Sequence, residues 1–381
     1  MTVTSLLPGA TLGVLGGGQL GRMFALEAIR MGYRVHVYDA DPHSPAGGIA
    51  HRHLRAAFDD DAALGEFGRE CDAVTTEFEN VPAAALEALG AHCRVAPDAR
   101  ALTVAQDRAR EKTLFTECGV PTVRWASVRD VTDLDTAWET AGGPCVLKTA
   151  RLGYDGKGQA VCESREALGA AFADLGEVPC VVEQRVELCA ELSAIVARAE
   201  GGQAVVLPVG ENTHRNGILH TTRVPAAQNP ALTTAAAETA KAIAETLSYQ
   251  GVLAVEFFVT GDGALLANEI APRPHNSGHY SQLGCDVNQF ELQVRALCGL
   301  PLFEPRLRQP TAMLNLLGDC WEDGTPDWAG VVGTAGAELH LYGKREARAG
   351  RKMGHINLGA PTVHALNERL ECVCRVLGIA P

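Results

Sequence analysis

The sequence lacks the features that would place the chain in a membrane or outside the cell. No apolar run approaches the roughly 20 residues that a spanning helix needs, and the best candidate, VLAVEFFV, is interrupted by Glu256. The first basic residue is Arg22, so the charged region of a secretory signal is missing. The twelve cysteines are scattered and form no CxxC pair, which favours buried, reduced thiols. These observations predict a cytoplasmic protein.

The sequence also lacks an excess of positive charge. Its formal net charge is −13, and nucleic acid or an anionic membrane would repel such a chain. Neither is expected as a partner, although this charge permits a local basic pocket for a phosphate-bearing small molecule. The 381 residues, 46% hydrophobic and 21% charged, are typical of a soluble globular protein with two or three domains.

The order of predicted strands and helices divides the chain into three parts. Residues 1–103 alternate strand, glycine turn and helix, which predicts a small α/β domain with a parallel sheet. Residues 104–305 contain many strands joined by short turns, which predicts an α+β domain with an antiparallel sheet. Weaker signals over residues 306–381 predict a small β-rich third domain that ends in a helix.

The first glycine-rich motif follows the first predicted strand. The sequence GGGQLG at residues 16–21 fits GxGxxG, and Asp39 and Asp41 follow at about the spacing expected of a ribose-binding acid. This motif alone permits an NAD(P)-binding protein. Its backbone N–H groups at a helix N-terminus can equally hold another small ligand, or the turn can be purely structural.

A second glycine-rich motif, GYDGKGQ at residues 153–159, is more informative. Three glycines in six positions let the backbone lie over phosphates, and Lys157 supplies positive charge there. Lys148 precedes the motif on a strand from which its ammonium could reach phosphate oxygens. The Walker pattern GxxxxGK[ST] is absent. A plain β-turn would explain the glycines but not the two lysines, so the motif predicts a nucleotide-phosphate loop.

Two acidic residues lie inside apolar strand patterns. Glu256 in AVEFF and Asn268-Glu269 in LLANEIAPR belong to strands joined by a tight turn, and pairing would bring their side chains together. Three hard oxygen ligands suit Mg²⁺ held between the protein and nucleotide phosphates. Solvent-exposed alternation is the alternative, but a buried carboxylate is costly without a cation. The pattern therefore favours a magnesium site.

Two further segments concentrate groups that bind anions. RPHNSGH at residues 273–279 follows the predicted metal strand and could hold a small oxyanion. The second segment has five basic residues within positions 344–352. It predicts either a phosphate site contributed by the third domain or a solvated turn. His214 ends a strand, where a lone histidine is more typical of a structural residue than of a ligand contact.

Together these motifs resemble the ATP-grasp superfamily and, within it, the family of N5-carboxyaminoimidazole ribonucleotide synthases. The resemblance rests on GGGQLGRM, TTEFENVP, GYDGKGQ, VEQRV with Glu191, NEIAPRPHNSGH and GRKMGHIN, which span almost the whole chain. It implies a Rossmann-like N-terminal domain that does not bind NAD, a central ATP-grasp domain and a small C-terminal domain, in a homodimer. It also implies ATP and Mg²⁺ (or Mn²⁺) as cofactors, with bicarbonate and aminoimidazole ribonucleotide as further small-molecule partners.

The resemblance implies contacts for named residues of this chain. Mg²⁺ would bind Glu256, Asn268 and Glu269, and adenine would meet backbone groups of Glu183 and Val186 at a strand edge. The implied ATP contacts are Arg108, Lys148, Gly153, Tyr154, Asp155, Gly156, Lys157, Gly158, Gln159, Glu183, Gln184, Arg185, Val186, Glu191, His214, Asn268 and Glu269. The implied contacts of the ribonucleotide and bicarbonate are Gln19, Leu20, Glu77, Tyr154, Asp155, Arg273, His275, Asn276, Lys344, Arg351 and Lys352.

The reaction that the resemblance implies belongs to de novo purine biosynthesis and has two steps. Bicarbonate attacks the γ-phosphate of ATP to give carboxyphosphate, and the amine of aminoimidazole ribonucleotide then takes the carboxyl group. The candidate catalytic residues are Tyr154, Asp155, Lys157, Arg273 and His275. One alternative is another ATP-grasp ligase, of the formate-using glycinamide ribonucleotide transformylase or biotin carboxylase type. The other is an NAD(P)-binding protein without ligase activity.

Overall fold

The computed structural model describes residues 4–153 and 158–380. Tyr154, Asp155, Gly156 and Lys157 of the predicted phosphate loop lie outside the described residues. Within the described ranges, no helix is long and apolar enough to cross a membrane.

The N-terminal region has the predicted α/β order. Its elements are β1 (Thr11–Leu15), α1 (Gln19–Arg30), β2 (Arg34–Tyr38), β3 (Arg52–Leu54), α2 (Asp61–Glu70), β4 (Ala73–Thr76), α3 (Ala83–Gly90), β5 (Arg94–Val95) and α4 (Ala99–Ala105). The strands are parallel, in the order β3-β2-β1-β4-β5. The inner strands β1 and β4 are apolar and buried because α1 packs on one face of the sheet and α2 and α3 on the other.

The central region has the predicted α+β character. Its elements are α5 (Arg108–Glu117), β6 (Trp125–Val128), α6 (Leu134–Ala141), β7 (Cys145–Thr149), β8 (Gln159–Cys162), α7 (Arg165–Asp174), β9 (Cys180–Gln184), β10 (Leu188–Arg198), β11 (Ala204–Val206), β12 (Gly210–Arg215), β13 (Ile218–Val224), α8 (Pro230–Thr246), β14 (Gly251–Thr260), β15 (Leu265–Ala271), α9 (Ser281–Gly284) and α10 (Gln289–Cys298). Four strands form a small antiparallel sheet in the order β6-β9-β7-β8. The strands from β10 to β15 belong to a larger sheet.

The C-terminal region extends that larger sheet. Its elements are β16 (Thr311–Leu317), α11 (Trp328–Val332), β17 (Ala337–Leu341), β18 (Lys352–Gly359) and α12 (Val363–Val376). Strand β16 pairs antiparallel with β13, so the described strands run in the order β15-β14-β10-β12-β13-β16-β18-β17, with β11 beside β10. The predicted β-rich region and final helix are confirmed. The boundaries predicted at 103/104 and 305/306 stay predictions, and the second separates regions that share one sheet.

One face of the larger sheet is apolar, and the opposite face, called the polar face, combines polar residues with a second apolar cluster that includes Ile195 and Ala197. Along β10, Leu192, Ala194 and Val196 pack against α8, while Glu191 and Ser193 alternate onto the opposite face. In the C-terminal strands the apolar side packs against α12. Because side chains alternate with a period of two, the polar residues of β10, β12, β14 and β18 are brought to a common surface.

Candidate active site

The hairpin of β14 and β15 brings the predicted metal ligands together. Glu256 and Glu269 are direct cross-strand partners, as the sequence predicts. The next pair is Phe257 with Ala267, so Asn268 is the extra residue of a β-bulge beside the two carboxylates. Burial, and then the neighbouring Glu269, raise the pKa of Glu256 to about 7. Two carboxylates forced together in this way favour a bound cation.

The donor set of this hairpin fits a divalent cation. Asn268 Oδ1 is buried and has no hydrogen-bond partner within the described part of the chain. An amide oxygen beside two carboxylates offers three hard oxygen ligands, which Mg²⁺ prefers. A nucleotide bound against them could supply further ligands from its phosphates.

A buried ion cluster connects the small sheet to this hairpin. The Glu183 carboxylate on β9 lies 2.6 Å from Lys148 Nζ and 3.2 Å from Lys112 Nζ. Lys112 also donates to the backbone oxygen of Asn268 at 2.9 Å. Burial alone would raise the pKa of Glu183, but Lys148 and Lys112 lower it to about 2. The ionised carboxylate therefore holds both lysines: Lys112 contacts the bulge, and Lys148 lies on the strand where sequence reasoning placed a phosphate-binding ammonium.

Helix α5 provides three of the charged groups of this cluster, two of which the sequence reasoning missed. Arg108 Nη1 lies 3.1 Å from Glu269 Oε2, and Glu111 Oε1 accepts the backbone N–H of Ile270 at 2.6 Å. Burial raises the pKa of Glu111 to about 8. Residues 108, 111 and 112 lie on one helical face because of their spacing. Charged residues on the buried face of a helix were the signal that could have revealed Glu111 and Lys112.

The adenine contact at Glu183 was predicted on the expectation that its backbone lies at a strand edge, and this expectation is wrong. Strand β9 is an interior strand, and Glu183 pairs with Trp125 on one side and Val146 on the other. Its backbone is therefore not at a strand edge. Val186 lies beyond the end of β9, in the connection to β10. Both ATP contacts stay predictions.

Other predicted ATP contacts lie around the small sheet. The side chain of Gln184 accepts Arg124 Nε at 3.1 Å, and Arg185 forms an exposed ion pair on this sheet. Gln159 pairs with Lys148 across β7 and β8. Gly158 has φ of 70°, a conformation that favours glycine. Gly153 borders the undescribed residues on the other side.

Glu191 and His214 meet on the polar face of the larger sheet. Glu191 Oε1 lies 3.1 Å from Nδ1 of His214. Burial alone would lower the pKa of His214, but Glu191, Glu256 and Glu269 raise it. This position within an acidic site fits a ligand contact better than an isolated structural histidine.

Residues 273–279 follow β15 and contact β12 and β13. Arg273 Nε lies 2.5 Å from Glu79 Oε2, which comes from the N-terminal region. His275 Nε2 lies 3.7 Å from Glu256 Oε1, and His275 Nδ1 accepts the backbone N–H of Ser277 at 3.3 Å. Burial and Arg273 lower the pKa of His275 well below its ordinary value. The neutral ring therefore has its proton on Nε2, the nitrogen nearer to Glu256.

Glu79 is a further site residue that sequence reasoning missed. It lies just beyond the carboxyl end of β4, where parallel sheets commonly position functional side chains. Burial alone would raise the pKa of Glu79, but Arg273 lowers it. An acid two residues after Glu77, at the end of a parallel strand, was the available signal.

The glycine turn of the N-terminal region holds the protein's own carboxylates. Gly17 donates its N–H to Asp39 Oδ2 at 2.7 Å. Glu77 accepts the N–H of Gly18 and, at 2.8 Å, that of Gly21. These N–H groups at the start of α1 are the ones that a dinucleotide phosphate would use. Because these N–H groups already have partners within the protein, the turn is unsuited to NAD(P) binding. Gln19 and Leu20, the predicted contacts of the ribonucleotide, are the first two residues of α1.

The predicted phosphate cluster of the C-terminal region lies between β17 and β18. Lys344 Nζ donates to the backbone oxygen of Lys352 at 2.7 Å, and Arg351 precedes Lys352 in the chain. Lys352 contributes, after burial and Arg273, to the lowered pKa of His275. Its charge is therefore close enough to act on the central site from the C-terminal region.

Two sheets that enclose a carboxylate pair, with a lysine on a strand before a glycine loop, define an ATP-grasp protein. Three domain families match the chain along its length. These are the ribonucleotide synthetase preATP-grasp domain at residues 9–106, the ATP-grasp domain at 113–290, and the phosphoribosylaminoimidazole carboxylase C-terminal domain at 311–369. The predicted fold class is confirmed.

Comparison with whole proteins gives the particular family. The N5-carboxyaminoimidazole ribonucleotide synthase of Brucella melitensis is 44% identical over 93% of this chain and 98% of its own length. The solved synthetase from Thermus thermophilus is 40% identical, with a TM-score of 0.91 over 97% of this chain and 99% of that one. A synthase from Aspergillus clavatus, solved with ADP and 5-aminoimidazole ribonucleotide, is 30% identical, with a TM-score of 0.89 over 98% and 100% of the chains. The chain belongs to the N5-carboxyaminoimidazole ribonucleotide synthase family.

Proposed function

We propose that the chain carboxylates 5-aminoimidazole ribonucleotide with bicarbonate and ATP. The products are N5-carboxyaminoimidazole ribonucleotide, ADP and phosphate, in purine biosynthesis. The observation that carries this proposal is the cross-strand pair of Glu256 and Glu269, with Lys148, Arg108 and Arg273 around it. Such a mixture of buried acids and cations fits a metal–nucleotide complex, whose charges complement both.

The side chains of the hairpin and of α5 would bind the nucleotide end of the reaction. Glu256, Asn268 and Glu269 would hold Mg²⁺ (or Mn²⁺), which supplies charge neutralisation for the transferred phosphoryl group. Lys148, kept in place by Glu183, would direct its ammonium to phosphate oxygens. Arg108, which begins α5 and lies 3.1 Å from Glu269, would also bind the nucleotide phosphates.

Arg273 and His275 would bind bicarbonate. The contact with Glu79 fixes the guanidinium of Arg273 and leaves other N–H groups of its fork available for an oxyanion. The neutral His275 ring can donate its Nε2 proton to an anion held near Glu256. Both groups would position the bicarbonate oxygen for attack on the γ-phosphate.

Lys344, Arg351 and Lys352 would hold the phosphate of the ribonucleotide, opposite Gln19, Leu20 and Glu77 of the N-terminal region. The double substitution Lys344→Ala with Arg351→Ala should raise the KM for aminoimidazole ribonucleotide about tenfold or more through lost charge-assisted hydrogen bonds. The KM for ATP should not change, because ATP is bound by the central region. The dephosphorylated riboside, a poor substrate, should be nearly indifferent to both substitutions. Equal damage to riboside and ribonucleotide would contradict the phosphate assignment.

We further propose that the enzyme is a cytoplasmic homodimer. The dimer is supported by the motifs shared with the family. The twelve cysteines are all free thiols, most of them buried or partly buried, which fits a reducing compartment.

The reaction is tested by incubating the enzyme with ATP, Mg²⁺, bicarbonate and aminoimidazole ribonucleotide and measuring ADP. We expect ADP formation to depend on both bicarbonate and the ribonucleotide. Turnover with formate and glycinamide ribonucleotide instead would indicate the transformylase type. Co-purifying NAD(P), detected by its ultraviolet absorbance, together with no ADP formation would indicate a protein without ligase activity.

A further inference from the structure

The polar face of the larger sheet contains an asparagine to which the reaction above assigns no role. Asn212 on β12 is buried, with 6% of its surface exposed. Its Oδ1 accepts the hydroxyl of Thr222 at 2.9 Å and that of Ser193 at 3.4 Å. In this orientation the amide oxygen satisfies both hydroxyl protons, so the NH₂ group points away from them. The two hydroxyls thus fix the direction of the amide.

The NH₂ group of Asn212 has no hydrogen-bond partner among residues 4–153 and 158–380. Asn276 is also buried, and its Nδ2 and Oδ1 likewise lack a partner in those ranges. Asn276 begins the short 3₁₀ helix Asn276–Gly278, which contacts β12 and β13. Buried amides of native proteins normally use their hydrogen-bonding groups. Two such amides, one on β12 and one on the segment that contacts β12, are therefore candidates for contacts with a polar ligand.

Asn212 lies next to the groups that we assign to the phosphoryl transfer. Its cross-strand partner on β10 is Glu191, and Ser193, whose hydroxyl it accepts, is the cross-strand partner of Glu256. Strand β12 is two strands from β14, so Asn212 lies on the order of 10 Å from Glu256 across the sheet. His275 is 3.7 Å from that same Glu256. Asn212 therefore lies on the same face of the sheet as Glu256, the residue that His275 approaches.

We propose that Asn212 is a substrate-binding residue that donates its Nδ2 protons to bicarbonate, opposite Asn276. This inference rests on the proposed function. A neutral amide suits the place because Glu191 and Glu256 are close by. A lysine or arginine there would form an ion pair with these acids, whereas an amide donor stays available for the anion.

Steady-state kinetics of Asn212→Ala and Asn212→Asp test the proposal. The aspartate can still accept both hydroxyls but replaces the donor with a second acceptor, which would repel an anion. We expect the KM for bicarbonate to rise about tenfold in Asn212→Ala, as expected for the loss of a hydrogen bond to a charged group, and further in Asn212→Asp. The KM for ATP should stay unchanged in both variants.

Two matched variants separate binding from folding. Thr222→Val removes one orienting hydroxyl and should raise the KM for bicarbonate less than Asn212→Ala does. Asn315→Ala removes an equally buried amide on β16, which donates to Leu219 O at 2.6 Å. It should lower the thermal unfolding temperature without changing the KM for bicarbonate.

The outcomes are distinct. An unchanged KM for bicarbonate in folded Asn212→Asp would overturn the proposal, and so would an increase in the KM for ATP alone, which would assign the amide to the γ-phosphate. If the unmodified enzyme showed no bicarbonate-dependent turnover, the proposed function itself would fail, before any variant was made. Thermal unfolding of each variant identifies a loss of activity that is due only to misfolding.

Discussion

The glycine turn of the N-terminal region and the bulged hairpin of the central region both contain acidic side chains. In the first the acids bind the protein's own backbone, and in the second they form a candidate metal site. In the N-terminal region, Asp39 and Glu77 accept the N–H groups of the glycine turn, so that turn is satisfied internally. In the central hairpin, Glu256 and Glu269 face each other: burial raises the pKa of Glu256, as it does that of Glu77, and the neighbouring Glu269 raises the pKa of Glu256 further. A glycine motif thus indicates a site where backbone N–H groups bind a phosphate only where these N–H groups are unused. Like charges held together indicate a ligand site more directly.

The largest expected difference between these regions is in catalysis. Glu269→Gln keeps the shape of the side chain but removes charge that a bound metal requires. We expect ADP formation to fall by at least about 100-fold, since substitutions that only support metal ligands reach 10–100-fold. Thermal unfolding should show a folded protein, because the change relieves repulsion with Glu256. Near-normal turnover in the folded variant would remove Glu269 from the metal site.

A smaller effect should appear in the pH dependence of metal binding. With the pKa of Glu256 raised to about 7, a proton competes with the metal below that pH. We expect the apparent affinity for Mg²⁺ to fall by about tenfold for each pH unit below 7, as one competing proton requires. The affinity is measured by Mn²⁺ titration or by the Mg²⁺ dependence of turnover.

The metal-free protein should show the matching effect on stability. Between pH 4.5, the ordinary pKa of this group, and about 7, the folded state binds more protons at Glu256 than the unfolded state. The contribution of Glu256 to the free energy of unfolding therefore falls as pH rises through this range. Glu256→Gln is the control, and it should lose this part of the pH dependence. A metal affinity independent of pH between 5 and 7 would argue against proton competition at Glu256.

The smallest expected effect belongs to the glycine turn. Glu77→Gln retains one acceptor but turns an NH₂ group towards the N–H groups at the start of α1. We expect the free energy of unfolding in urea to fall by about 1–2 kcal/mol, the range for a charge-assisted hydrogen bond at a helix N-terminus. The KM for ATP should not change, whereas the KM for aminoimidazole ribonucleotide should rise, because Glu77 is a proposed contact of that substrate. If Glu77→Gln left the stability unchanged but lost as much turnover as Glu269→Gln, Glu77 would belong to the catalytic site rather than support the turn.

Local sequence patterns predicted those parts of the fold and site that depend on neighbouring elements. Strand alternation and a tight turn were enough to pair Glu256 with Glu269, because a hairpin brings its own strands together. Strand order was not available in this way. Glu183 was therefore expected at an edge, although β9 lies between β6 and β7.

The residues that sequence reasoning missed depend on contacts between distant segments. Lys112 and Glu111 enter the site only because α5 packs against β15, more than 150 positions later in the chain. Glu79 enters because the N-terminal region meets Arg273. Asn212 is buried, although the local sequence of its strand, GENTHR, is polar and is typical of an exposed strand end. Local sequence periodicity cannot predict these contacts between distant segments, because tertiary packing determines them.

The pairing of β13 with β16 has a consequence for any attempt to divide the chain. If residues 306–381 were removed, β13 would become a free edge with a row of backbone N–H and C=O groups open to other molecules. Such an edge is a template for intermolecular strand addition. The last fifth of the chain therefore covers this edge and prevents other chains from adding a strand to the catalytic sheet. A truncated central fragment should be recovered in inclusion bodies.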